Sequence, residues 1–208
     1  PFEIRAYPTL LFLDGKQQVV HRIVGCDGAE YLMKEAGKAL DPQLNFRAMQ
    51  ERYMAGERAT DFILEYLNYL GHAYLEEEAN AIALQYLQGF KEEELITSAN
   101  WKIIEKYIKD PLAIPLQVVM KRRKAFFDLA PEQEVINKLN LTCRSALLPF
   151  TRWRPDSEIV FDERYYDALV AYFKSVDYDL APECLANLYT AGFMYRGDYS
   201  GMLEEMKR

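Results

Sequence analysis

Cysteine, histidine and tryptophan are scarce in this chain, with three, two and two copies among 208 residues. Each scarcity closes off some chemistry. Cys26, Cys143 and Cys184 are widely spaced and odd in number, so at most one intramolecular disulfide forms and no pair has redox-motif spacing. The burial habits of cysteine make all three candidates for buried free thiols. His21 and His72 have no carboxylate or thiol at ligand spacing, which argues against a metal site. No run approaches the roughly 18 apolar residues of a membrane span. A net charge of -7 disfavours nucleic acid or an anionic membrane as partner. A Gly-rich phosphate loop, a nucleophile elbow and paired carboxylates are missing too, and no cofactor is expected.

What is present is the balance of a globular protein, 50% apolar and 27% charged, rich in aromatics with 15 tyrosines and 11 phenylalanines. The run Tyr7-Pro8-Thr9-Leu10-Leu11-Phe12 reads as a buried strand opened by a proline. Asp14-Gly15 supplies a tight turn, and Val19-Val20-His21-Arg22-Ile23-Val24 reads as a second strand ending at Gly25. Proline at a strand's first residue is allowed and is often cis there.

Helical spacing then takes over. Tyr31, Leu32, Ala36 and Leu40 mark a helix over Ala29 to Leu40 with Asp27 as its cap, and Asp41-Pro42 ends it. The domain boundary is placed there, giving residues 1–41 and an all-helical part, 42–208. In that part Phe62, Ile63, Tyr66, Leu67 and Leu70 form one stripe. Further helices are expected over Glu76 to Phe90, from Thr97 or Ser98 to Ile108, and over Leu116 to Leu129, Glu132 to Leu148, Glu163 to Val176, Pro182 to Tyr195 and Ser200 to Lys207, roughly nine in all. The helix, Gly, helix punctuation at Tyr53-Met54-Ala55-Gly56 and Met194-Tyr195-Arg196-Gly197-Asp198-Tyr199, before Met202-Leu203, is tetratricopeptide-like. The fixed Trp, Gly, Tyr, Ala and Pro positions of that repeat are missing, so irregular stacked hairpins are favoured over true repeats.

The segment from Phe2-Glu3-Ile4-Arg5-Ala6-Tyr7-Pro8 to Phe12, with Gly15, Gly25 and a helix to about Leu40, resembles the C-terminal half of a thioredoxin domain. The resemblance covers about forty residues. The C-x-x-C motif of that family's N-terminal half is not in this sequence, and the opening on Pro1 reads as a fragment or a processed product. The segments Phe62-Ile63-Leu64-Glu65-Tyr66-Leu67, Leu95-Ile96-Thr97 and Asn100-Trp101-Lys102-Ile103-Ile104 are similar in style to helical extensions of exported thioredoxin-family proteins of Bacteroidetes. That resemblance implies a periplasmic or cell-envelope setting. It also implies a parent thiol–disulfide oxidoreductase acting on protein or peptide substrates with disulfides or thiols, its helical domain binding a client or partner. Pro8 is then the cis-proline and Tyr7 the position that pairs with an extended peptide by strand addition. The parent's first cysteine attacks the substrate disulfide and its second resolves the mixed disulfide. Without them this chain is expected to be inactive. The plainer reading of Pro8 is that it sets a strand's entry angle, and the rival function is a non-catalytic helical adaptor with a degenerate thioredoxin remnant.

Other candidates are weaker. Cys26 is expected on the far side of the hairpin from the Pro8 loop, without a partner thiol. Lys121-Arg122-Arg123-Lys124 reads as a solvated helix face, the runs Glu76-Glu77-Glu78 and Glu92-Glu93-Glu94 as helix first turns, and Trp101 and Trp153 as packing anchors. Arg152-Trp153-Arg154-Pro155 is a candidate contact loop. A strand over Thr9-Leu13 without an inner neighbour leaves an apolar edge, which is expected to self-associate.

Overall fold

The computed structural model describes residues 4, 6–198 and 200–201. Phe2, Glu3 and Arg5 of the thioredoxin-like segment, Tyr199 and the Met202-Leu203 pair lie outside the described residues, as does most of the helix expected over Ser200–Lys207. The described chain is mainly helical, 62% helix in ten helices, with one two-stranded antiparallel sheet. It gathers into two compact units, residues 1–89 and 90–208.

The first unit opens with the hairpin β1 (Thr9–Leu13) and β2 (Val19–Val24). Its turn is longer than the Asp14-Gly15 step suggests. The Asp14 carboxylate accepts from the Lys16 and Gln18 amides, and the left-handed residue is Gln17, at φ 61°, rather than Gly15. Four helices follow: α1 (Gly28–Leu40), α2 (Phe46–Met54), α3 (Thr60–His72) and α4 (Glu76–Leu87). Asp27 precedes α1 without a side-chain cap bond. Asp41 is extended, as the following Pro42 requires, and Asn45 caps α2 by accepting from the Ala48 amide. Gly71 does not interrupt α3, and the chain leaves that helix at Tyr74, whose φ is 57°. The break suggested by Asp41-Pro42 falls inside this unit, because α2 returns to pack on β2. The stripe Phe62, Ile63, Tyr66, Leu67 and Leu70 is buried as its spacing requires.

The second unit holds α5 (Ser98–Tyr107), α6 (Ile114–Lys121), α7 (Arg123–Phe127), α8 (Glu132–Thr151), α9 (Glu163–Ser175) and α10 (Ala181–Arg196). Thr97 caps α5 as expected. The single helix expected over Leu116–Leu129 is split at Arg122. That break turns the basic run into a set of ties: Lys121 pairs with Glu92 at 3.0 Å, and Arg123 donates to the Met120 and Asp177 carbonyls. α10 packs against both α8 and α9, over a core that includes Leu139, Leu147, Leu169, Phe173 and Leu188. Trp101 is buried with its indole N–H on Glu134, and Trp153 stands edge-on to Phe161 and Tyr195, both acting as packing anchors. Among the described residues no helix is long and apolar enough to cross a membrane.

Candidate functional site

The two edges of the hairpin differ, and the difference defines the candidate site. In an antiparallel pair, alternate residues turn their backbone groups toward the partner strand and the rest turn them outward. The Gly25 amide donates to the Pro8 carbonyl at 2.8 Å, which starts the inward series at Pro8 and carries it to Leu10 and Phe12. Thr9 and Leu11 therefore face outward from β1, and Arg22, opposite Leu11, faces outward from β2.

On β2 the outward groups are closed. The Tyr69 hydroxyl of α3 accepts from the Arg22 amide at 2.9 Å and donates to the Arg22 carbonyl at 2.7 Å, as a neighbouring strand would. Burial pushes the Tyr69 phenol well above its usual value, so it stays protonated and able to donate. On β1 the outward groups of Thr9 and Leu11 meet no strand among the described residues. The strand expected to be buried is not: it begins at Thr9, its first four residues are half-buried and Leu13 is exposed, because one edge and part of one face of a two-stranded sheet stay uncovered.

Tyr7 and Pro8 stand at the head of that open edge. The Tyr7–Pro8 peptide bond is cis, Pro8 is exposed, and Tyr7 is 88% exposed. The Thr9 hydroxyl donates to the Ala6 carbonyl at 2.6 Å, which holds the approach to the strand. Cys26 is not on the far side of the hairpin. An antiparallel pair brings the start of β1 beside the end of β2, so the Gly25–Pro8 bond puts the exposed Cys26 thiol at the same end as Pro8. Its Sγ contacts the Gly28 carbonyl at 3.7 Å.

Behind the edge, His21 holds the hairpin to two helices. It is fully buried on β2; its Nδ1 accepts from the Phe46 amide of α2 at 3.2 Å, and its Nε2 lies 3.4 Å from Glu35 Oε2 of α1. With Nδ1 accepting, the proton sits on Nε2 and points at Glu35. Burial lowers the His21 pKa and keeps the ring neutral. Burial opposes the charge on Glu35, but the Lys38 ammonium at 2.7 Å and the His21 bond outweigh it, and the carboxyl sits below its usual value. The sequence offered no sign of this role: His21 is one residue in an alternating strand, and its partners lie 14 and 25 positions away. His72 is exposed, and no metal-binding group of three or more side chains occurs among the described residues. A cavity of about 580 Å³ lined by Tyr31, Glu35, Lys38, Asn68 and Tyr69 opens on the β2 side, not at Tyr7 and Pro8.

Comparison with family models, with curated proteins and with solved structures found no match.

Proposed function

We propose that this chain is the peptide-pairing portion of a thioredoxin-like thiol–disulfide oxidoreductase of the periplasm or cell envelope. Extended protein or peptide substrates carrying disulfides or thiols pair by strand addition with the Tyr7-Pro8 step, while the helices that follow bind the client or a partner. The observation that supports this reading is the head of the hairpin: the Tyr7–Pro8 bond is cis and both residues are exposed, next to a β1 edge whose Thr9 and Leu11 amides and carbonyls face outward, as they would toward the inner strand of a complete domain. Main-chain pairing of this kind binds peptides with little regard to sequence, which suits a redox enzyme with many clients. On this reading thiol exchange would need a C-x-x-C pair, which this sequence does not contain.

The test is amide exchange at Tyr7 with and without an extended, disulfide-bearing peptide. Binding at this step slows exchange of the Tyr7 amide. Each main-chain bond made there is worth about 1.5 kcal/mol, roughly 10-fold in affinity. Unchanged Tyr7 exchange in the presence of bound peptide overturns the step as the site. The redox reading is tested separately by the coding sequence ahead of Pro1. A W-C-x-x-C within about 60–100 residues, half of an ordinary domain, supports it; an upstream segment without both cysteines leaves a non-catalytic adaptor.

A further inference from the structure

The two buried cysteines of the second unit are 41 positions apart in sequence but adjacent in space. Cys143 lies in the middle of α8 and Cys184 in the first turn of α10, 0% and 1% exposed, where the two helices pack on one another. Contacts on either side confirm the register of the two helices. The Tyr178 hydroxyl, just before α10, donates to Asn140 Oδ1 at 2.7 Å, three residues ahead of Cys143. Arg144 and Glu183, the immediate chain neighbours of the two cysteines, form an ion pair at 3.4 Å. The chain between the cysteines contains the whole of α9, which packs against α10 through the bond from the Tyr166 hydroxyl to the Leu188 carbonyl.

We propose that Cys143 and Cys184 are partners in an intrachain disulfide that forms by exchange with a small soluble disulfide and staples α8 to α10 around α9. This inference does not depend on the peptide-pairing reading. The steps balance. One thiol loses its proton and attacks a sulfur of the small disulfide, giving a mixed disulfide and one released thiolate, which takes up that proton. The second thiol deprotonates and attacks the protein sulfur of the mixed disulfide, releasing the other small thiol. Two protein thiols and one small disulfide become one protein disulfide and two small thiols. Because both sulfurs are buried, exchange proceeds through local opening and is slow rather than forbidden.

The experiment uses the full chain with Cys26→Ala, which leaves only these two thiols. The protein is brought to equilibrium in mixtures of reduced and oxidised glutathione, in native buffer and in concentrated urea. Remaining thiols are then alkylated and the peptides mapped by mass spectrometry. The expected result is a Cys143–Cys184 linkage with loss of both alkylation sites. Half-oxidation comes at a glutathione disulfide level at least ~10-fold lower for the folded than for the unfolded chain, because the fold already holds the sulfurs together. Both cysteines remaining alkylatable in native buffer, each carrying glutathione instead of the other, or oxidation no easier in native buffer than in urea overturns the proposal. The wild-type chain mapped in the same way keeps the same linkage; pairing of either cysteine with Cys26 also overturns it.

Discussion

At the scale of single residues, several positions owe their identity to one contact that composition does not reveal. Gly192 sits inside α10, where glycine costs helix stability relative to alanine. A Cβ there would land on the Tyr166 hydroxyl, which is held in place by its bond to the Leu188 carbonyl. Gly192→Ala is expected to destabilise the second unit by about 1–3 kcal/mol, the usual cost of overpacking, instead of stabilising an ordinary helix interior. Urea unfolding of the two chains side by side measures the difference, and a more stable alanine variant would show that Tyr166 yields. Gln17 is a comparable case: it takes the left-handed turn position while Gly15, the residue a sequence reader chooses, does not. The turn is closed instead by the Asp14 carboxylate, whose Gln18 amide bond and Arg47 partner hold its pKa down.

Among elements, the decisive joins are side chains that bridge strand and helix. His21 binds β2 to α1 and α2 at once, and Tyr69 binds it to α3. His21 gives the first unit a pH dependence whose sign follows from its lowered pKa. The unfolded chain takes up a proton near pH 6.5 and the folded chain resists it. Stability is therefore complete above that value and declines as pH falls from it toward the lower folded pKa. Amide exchange of β2 and α1, corrected for intrinsic rates, is expected to show less protection at pH 5.5 than at 7.5. His21→Leu, which cannot titrate, is expected to remove that dependence even though it destabilises the unit. A pH response equal to that of wild type would place its origin elsewhere.

For the whole molecule, the open edge of β1 is the feature with the widest consequences. A strand edge with free amides and apolar neighbours pairs with itself when no other strand is supplied. Two copies joined through Thr9 and Leu11 are the expected state at high protein concentration. Sedimentation is expected to show a dimer that Leu11→Pro abolishes, since proline there removes an outward N–H and no β1–β2 bond. A monomer at every concentration, with fast amide exchange throughout Thr9–Leu13, would contradict this.

The strands and most helix boundaries are legible in the amino-acid order, because each depends on residues within a few positions: alternation in β1 and β2, proline after Asp41, Thr97 before α5. The alternating pattern also implies an edge in need of a partner. What it cannot express is contact across long separations. The reach of the first unit to Gly89 depends on α2 and α3 folding back onto β2, through bonds 25 and 47 residues apart. The position of Cys26 beside Pro8 follows from strand pairing, and the meeting of Cys143 and Cys184 follows from the packing of α8 on α10. Local sequence determined which segments are strand and helix, since backbone preference and periodicity act over one or two turns. Only the tertiary structure decided which of the two hairpin edges is closed, because that depends on where a tyrosine 47 residues further along the chain comes to rest.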